Sequence, residues 1–173
     1  MGTCKKSTLI VHFNKENSAN MHVGLIIVFN HFKDSQLKSD FITSLKTLHN
    51  IKICLVCNSN DDLVLEQLNE IAYHGDHIAV VSTKRTKSTS SAIKAGARYV
   101  YNHYNLKYVG YIADFSSLES FEFVKKFESH QQTIITLIQE EIASKKVKQT
   151  YYQSLFSIPK HLDKVLAMSQ KIS

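Results

Sequence analysis

Four short apolar runs, each breaking abruptly into polar residues, constrain this chain most: Val23 to Phe29 (VGLIIVF), Ile51 to Cys57 (IKICLVC), His77 to Val81, and Tyr108 to Ala113. Continuous runs of this kind read as strands buried on both faces of a sheet. Between them the apolar residues fall at helical spacing. Leu37, Phe41, Ile42, Leu45 and Leu48 mark a helix over Ser35 to His49, with Asp34 or Ser35 as its cap. Leu65, Leu68, Ile71 and Ala72 mark a second over Leu63 to Tyr73, stopped by Gly75, and Ser88 to His103 reads as a third. Strands that alternate with helices pair in parallel, through right-handed crossovers. The expected fold is α/β: a three-layer, doubly wound, mainly parallel sheet, whose ligands bind outside the carboxyl ends of the strands at the switch point.

Residues 1–22 form an N-terminal extension in which Leu9 to Phe13 is a candidate edge strand. Leu118 to Phe127 reads as a helix, and Thr133 to Ile138 (TIITLI) as a fifth strand that completes a sheet domain over 23–138. Residues 139–173 read as a helical C-terminal segment packed on that domain, broken or reopened at Pro159. Its candidate buried residues are Tyr152, Leu155, Phe156, Leu162, Val165 and Leu166.

Charge narrows the partners. The net charge of +6, from 21 Lys+Arg against 15 Asp+Glu, favours phosphates, anionic lipid or nucleic acid. The basic residues are scattered and the aromatic ones fall at core spacings, so no nucleic-acid interface is expected. No apolar run approaches the ~20 residues needed to cross a bilayer. The start MGTCKKSTLIVHF lacks a signal-peptide layout, so a cytoplasmic protein is expected, peripheral at the membrane if the basic amphipathic segment KKVKQTYYQSLF touches one. Three cysteines argue against a disulfide framework. Cys54 and Cys57, three apart on one strand, point to opposite faces and so suit neither redox chemistry nor zinc.

The strand ends carry the chemistry: Asn30 after the first, Asn58 through Asp62 after the second, a basic loop with Lys84, Arg85 and Lys87 after the third, and Asp114 after the fourth. Three cations beside the N–H groups that open the Ser88 helix suit a diphosphate, although an exposed basic loop also serves simply as a solvated surface. Asp114 is either a contact for Mg²⁺ or Mn²⁺, or a cap for the helix near Leu118. Asp61 and Asp62 suit a helix dipole as well as a ligand, and Lys94 and Arg98 share a helix face that meets either ligand or water. His74 and His77 flank a turn at the opposite edge. VFNHFKDS contains no glycine, so the phosphate loop of dinucleotide-binding folds is missing, and no nucleophile elbow is present.

The pattern resembles the nucleotide-sugar-binding half of family 2 glycosyltransferases of the GT-A fold, nearest the polyprenyl-phosphate sugar branch. VGLIIVFNHF stands where that family has its opening strand and an Asn, and LVCNSNDD where it has Val-Asp-Asn/Asp-Gly-Ser-x-Asp. SSAIKAGARYVYNHYNLKYVGYIADFSSLESF is similar to its Ala-x-Asn-x-Gly helix followed by the Asp-x-Asp strand. The likeness spans roughly 23–127. It implies a nucleotide-diphospho-sugar held by Asn30, Asn58, Asp61, Lys84, Arg85, Lys87, Lys94 and Asp114, a metal at Asp114, and sugar transfer to an unknown acceptor. Cys57 and Ile112 stand where the family has aspartates, Lys94 where it has Asn, and the acceptor half and catalytic base have no counterpart. The alternative is a degenerate domain of the same kind that binds or regulates without transfer.

Overall fold

Five strands form: β1 (Val23–Phe29), β2 (Lys52–Cys57), β3 (Ile78–Ser82), β4 (Tyr108–Ile112) and β5 (Leu155–Ser157). The helices are α1 (Ser35–Thr47), α2 (Asp62–Ala72), α3 (Thr89–His103), α4 (Leu118–Ser144) and α5 (Ile158–Gln170). They come from a computed structural model that describes residues 23–31, 35–115, 118–144 and 154–170. All strands are parallel, in the order β3-β2-β1-β4-β5. The chain builds outward from β1 to β3 and then crosses back to β4, so the switch point lies between β1 and β4. Because every strand runs the same way, Asn30, Asn58, Thr83 and Asp114 all follow strands at one edge of the sheet.

Side-chain alternation divides the core. Leu25, Ile27 and Phe29 of β1, with Ile53, Leu55 and Cys57 of β2, pack against α1, α2, α4 and α5. Ile26, Val28, Cys54 and Val56 point the other way, against α3. Gly96 lets α3 lie close, because a Cβ there would sit 2.8 Å from Val56 Cγ2 and 2.9 Å from Ile26 Cγ2. Cys54 and Cys57 are free, buried and on opposite faces, as their spacing requires. Burial pushes the Cys54 thiol up to about 12 and raises that of Cys57, so neither supplies a reactive thiolate at neutral pH.

Two expectations fail beyond β4. TIITLI is not a strand; it lies inside α4, which runs to Ser144. Its β-branched residues suggest a strand, but Val124, Phe127, Ile134, Ile135 and Ile138 repeat at helical spacing, and no Gly or Pro interrupts residues 118–144. The fifth strand is β5, in a segment read as wholly helical, and Gly110 pairs with Phe156. Leu166, expected inside, is 37% exposed, since the buried stripe of α5 is Ile158, His161, Leu162 and Val165. Pro159 is the second residue of α5, where a missing N–H costs nothing. Leu9 to Phe13, Asp34 and Tyr152 lie outside the described residues, as do residues 145–153 of the basic amphipathic segment.

The placement of α4 is unusual. The β1-α1-β2 and β2-α2-β3 units step one way across the sheet with helices on one face, and β3-α3-β4 steps back with its helix on the other. β4-α4-β5 continues in the direction of the return, yet α4 packs with α1. α4 therefore shares a face with α1 and α2 and not with α3, the helix of the preceding return step. Glu141 of α4 pins α5 through Lys164. The Lys164 contact holds the Glu141 carboxyl below the usual range. No helix among the described residues is long and apolar enough to cross a membrane.

At the amino edge, His77 is buried, and its Nε2 lies 2.8 Å from the Leu45 carbonyl, so that nitrogen carries a proton and donates. Burial lowers its pKa below 6.5, opposed by the Leu45 bond and Asp76 and reinforced by His49 and Lys52. A depressed folded-state value means that the unfolded chain binds the proton more readily. The contribution is therefore complete above pH 6.5 and is lost as the pH falls through the folded value. His77→Gln, which keeps a donor but cannot titrate, is expected to flatten the dependence of unfolding free energy on pH between about 7 and 5. Urea denaturation across that range checks it, and parallel curves for the two proteins would remove His77 from the account.

Candidate functional site

Asn58 is the hub of the carboxyl edge. It follows β2, is 1% exposed, and has both amide hydrogens committed: Nδ2 donates to the Lys87 carbonyl at 2.9 Å and to Asn30 Oδ1 at 2.8 Å. Its Oδ1 accepts from Lys87 N–H at 2.9 Å and lies 3.2 Å from the Thr83 hydroxyl. That hydroxyl has a single proton, and its nearest acceptor is the Arg85 carbonyl at 2.7 Å. Asn58 thus pairs with the Lys87 backbone as a neighbouring strand would and has no donor left for a ligand, while the second lone pair of its Oδ1 lies against the Thr83 hydroxyl. It holds the loop; it does not read what binds.

The orientation of the network is fixed from both ends. Lys87 offers a donor and an acceptor that admit one setting of the Asn58 amide, which turns Nδ2 toward Asn30. Asn30 must then present oxygen to Asn58 and nitrogen to Asp114, and Asn30 Nδ2 donates to Asp114 Oδ1 at 2.9 Å. The relay Lys87–Asn58–Asn30–Asp114 spans β2, β1 and β4 and crosses the switch point. Asn30, half-buried, keeps one N–H and one oxygen lone pair unspent among the described residues.

Further bonds shape the loop after β3. Thr83 N–H donates to the Cys57 carbonyl and extends the β2–β3 ladder by one step. Thr86 N–H donates to Asn60 Oδ1 at 3.1 Å, and Lys84 N–H to Ser82 Oγ at 3.2 Å. Ser88 caps α3 by accepting from Ser91 N–H. Lys84, Arg85 and Lys87 are all exposed, so a fixed backbone displays three cations to solvent. Beneath the edge, Phe29, Phe41 and Phe115 pack ring to ring, with centroids 4.9 Å apart for Phe29–Phe115 and 4.5 Å for Phe41–Phe115. Phe29 precedes Asn30 and Phe115 follows Asp114, so this aromatic floor sets the height of both.

The candidate residues therefore divide. Asn30, Asn58, Lys87 and Asp114 are joined in one network, and Lys84 and Arg85 lie on the loop that it holds. Asp61 is the cap of α2, accepting from Leu63 N–H at 3.0 Å. Lys94 and Arg98 are exposed on α3, off the face formed by Ala92, Ile93, Gly96, Ala97 and Val100. Thr83, Asn60 and Ser82 belong to the loop scaffold; the pattern places all three at the strand ends, as short polar residues, without marking the bonds by which they hold the loop.

A divalent cation needs six or more oxygen ligands. Among the described residues no three His, Cys, Asp or Glu side chains converge, and the edge network contributes one carboxylate, which already accepts from Asn30. That donor set does not fit a metal held by the protein alone. Comparison with protein-family models, curated proteins and solved structures finds no match to this chain.

Proposed function

We propose that the chain binds a nucleotide diphosphate, or the nucleotide-diphospho-sugar suggested by its resemblance to family 2 glycosyltransferases, at the carboxyl edge of β1 and β4, and that it does so without catalysing transfer. The relay from Lys87 to Asp114 carries this reading: it ties a displayed cationic loop to polar strand ends at the switch point, where α/β sheets take their ligands. Lys84, Arg85 and Lys87 face the diphosphate, and Asn30 offers its unspent donor and acceptor to the remainder of the ligand. Asn58 and Thr83 hold the loop, and Asp61 and Lys94 take no part.

Two core positions favour binding over transfer. Ile112 is 2% exposed and Cys57 1% exposed, both within the apolar layer, where the resemblance would require carboxylates. A carboxylate at either place would have to leave water for a hydrocarbon core. Asp114, exposed and oriented by Asn30, favours the second reading, a GT-A-like transferase that keeps one acidic residue for a phosphate-bound cation.

Thermal-shift and calorimetric titration with UDP, GDP and their sugars, with and without Mn²⁺, tests both. Saturable stabilisation of the wild type that disappears when Lys84, Arg85 and Lys87 are all changed to Ala is expected. Added stabilisation by Mn²⁺ that vanishes in Asp114→Ala would favour the second reading. No effect at millimolar ligand sinks the binding site.

A further inference from the structure

We infer that Lys84 is the cation on which anion binding at this edge turns, and that Asn58 is the positioning residue that keeps it in place; the inference rests on the binding reading above. Lys84 has φ of 60° and is the one non-glycine with positive φ among the described residues. In that left-handed region the Cβ of an L-residue crowds its own carbonyl, and lysine lacks the short polar side chain with which Asn or Asp offsets the cost. Glycine would occupy the position without strain. Such a conformation persists only where its surroundings impose it.

The surroundings do so from both sides. Before the turn, Ser82 Oγ accepts the Lys84 N–H; after it, the Thr83 hydroxyl holds the Arg85 carbonyl at 2.7 Å. Asn58 then fixes Lys87 through both its N–H and its carbonyl, and Asn60 takes the Thr86 N–H. The loop is thus anchored on each flank of the strained residue, whose own side chain remains exposed. Arg85 and Lys87 carry the same charge without the strained backbone. A left-handed turn that places a cation, where glycine would place nothing, is the pattern expected of a residue held for its ammonium group.

The test compares UDP and inorganic pyrophosphate affinities by calorimetry. Lys84→Gly is expected to bind both about tenfold more weakly, the loss of one charge-assisted contact. It is also expected to melt about 2 °C higher, because relief of strain exceeds the added freedom of glycine in the unfolded chain. Lys84→Arg, which keeps the charge, is expected to stay within about twofold of the wild type. Arg85→Ala and Lys87→Ala are each expected to cost no more than about threefold.

For Asn58, the readout is coupling. Asn58→Ala, measured below its melting transition, is expected to weaken UDP binding, and adding it to Lys84→Gly is expected to cause no further loss. Additive losses would overturn its positioning role. Wild-type affinity in Lys84→Gly, or equal losses at all three cations, would overturn the assignment to Lys84 while leaving the binding reading intact. No binding of either probe by the wild type overturns both.

Discussion

Asn58→Ala is expected to lower the unfolding free energy by about 2 kcal/mol, the cost of stranding several part-buried polar groups at once. The substitution removes the partner of both Lys87 backbone groups and of Asn30 Oδ1 at a site 1% exposed. Asn58→Asp is expected to be at least as damaging, because it replaces two donors with a buried negative charge beside the Lys87 carbonyl and Asn30 Oδ1. Urea denaturation measures both. A loss of under about 1 kcal/mol for Asn58→Ala would mean that water readily takes the place of the amide and that the loop is held by something else.

Phe41→Ala is expected to cost about 4 kcal/mol, within the range for a large aromatic side chain truncated in a packed core. Phe41 is fully buried and touches both other rings of the aromatic floor, at centroid distances of 4.5 Å to Phe115 and 5.9 Å to Phe29. Its loss leaves a cavity under the chain segments that carry Asn30 and Asp114. Binding is therefore expected to weaken along with stability, even though Phe41 lies one layer below the edge. Thermal unfolding with parallel UDP titration tests this. A drop in stability with unchanged affinity would show that the floor supports the fold but not the site.

The sheet was readable because its strands are short, continuous apolar runs that stop at polar residues, and VGLIIVF and IKICLVC leave little else for the chain to do. The same alternation assigned Cys54 and Cys57 to opposite faces. Legibility ended after β4 because TIITLI carries two signals: β-branched composition and a helical repeat shared with Val124 and Phe127. A stretch of isoleucines decides nothing locally, and the length of α4 decides in favour of the helix. β5 escaped notice because three residues are too few for a periodic pattern, and its neighbours in sequence lie in α5.

At the site, position was legible and role was not. Asn30, Asn58 and Asp114 are polar residues at parallel strand ends, which share an edge, and their hydrogen bonds join them. That Asn58 is spent on the Lys87 backbone and on Asn30 depends on a turn geometry no spacing rule encodes. Asp61 was ambiguous between helix cap and ligand contact, and its bond to Leu63 N–H makes it the cap. The left-handed turn at Lys84 had no signature, because the residue that usually announces such a turn is glycine.

Under the proposed function, an anionic nucleotide is held at the β1–β4 edge by the loop that Asn58 secures. The most direct measurement is a titration of ¹⁵N-labelled protein with UDP, followed by amide chemical shifts. The account predicts progressive, saturable shifts confined to Asn30, the loop from Thr83 to Ser88, and Asp114, with the amino-edge amides near His77 unmoved. Shifts centred elsewhere, or none at millimolar UDP, would contradict it.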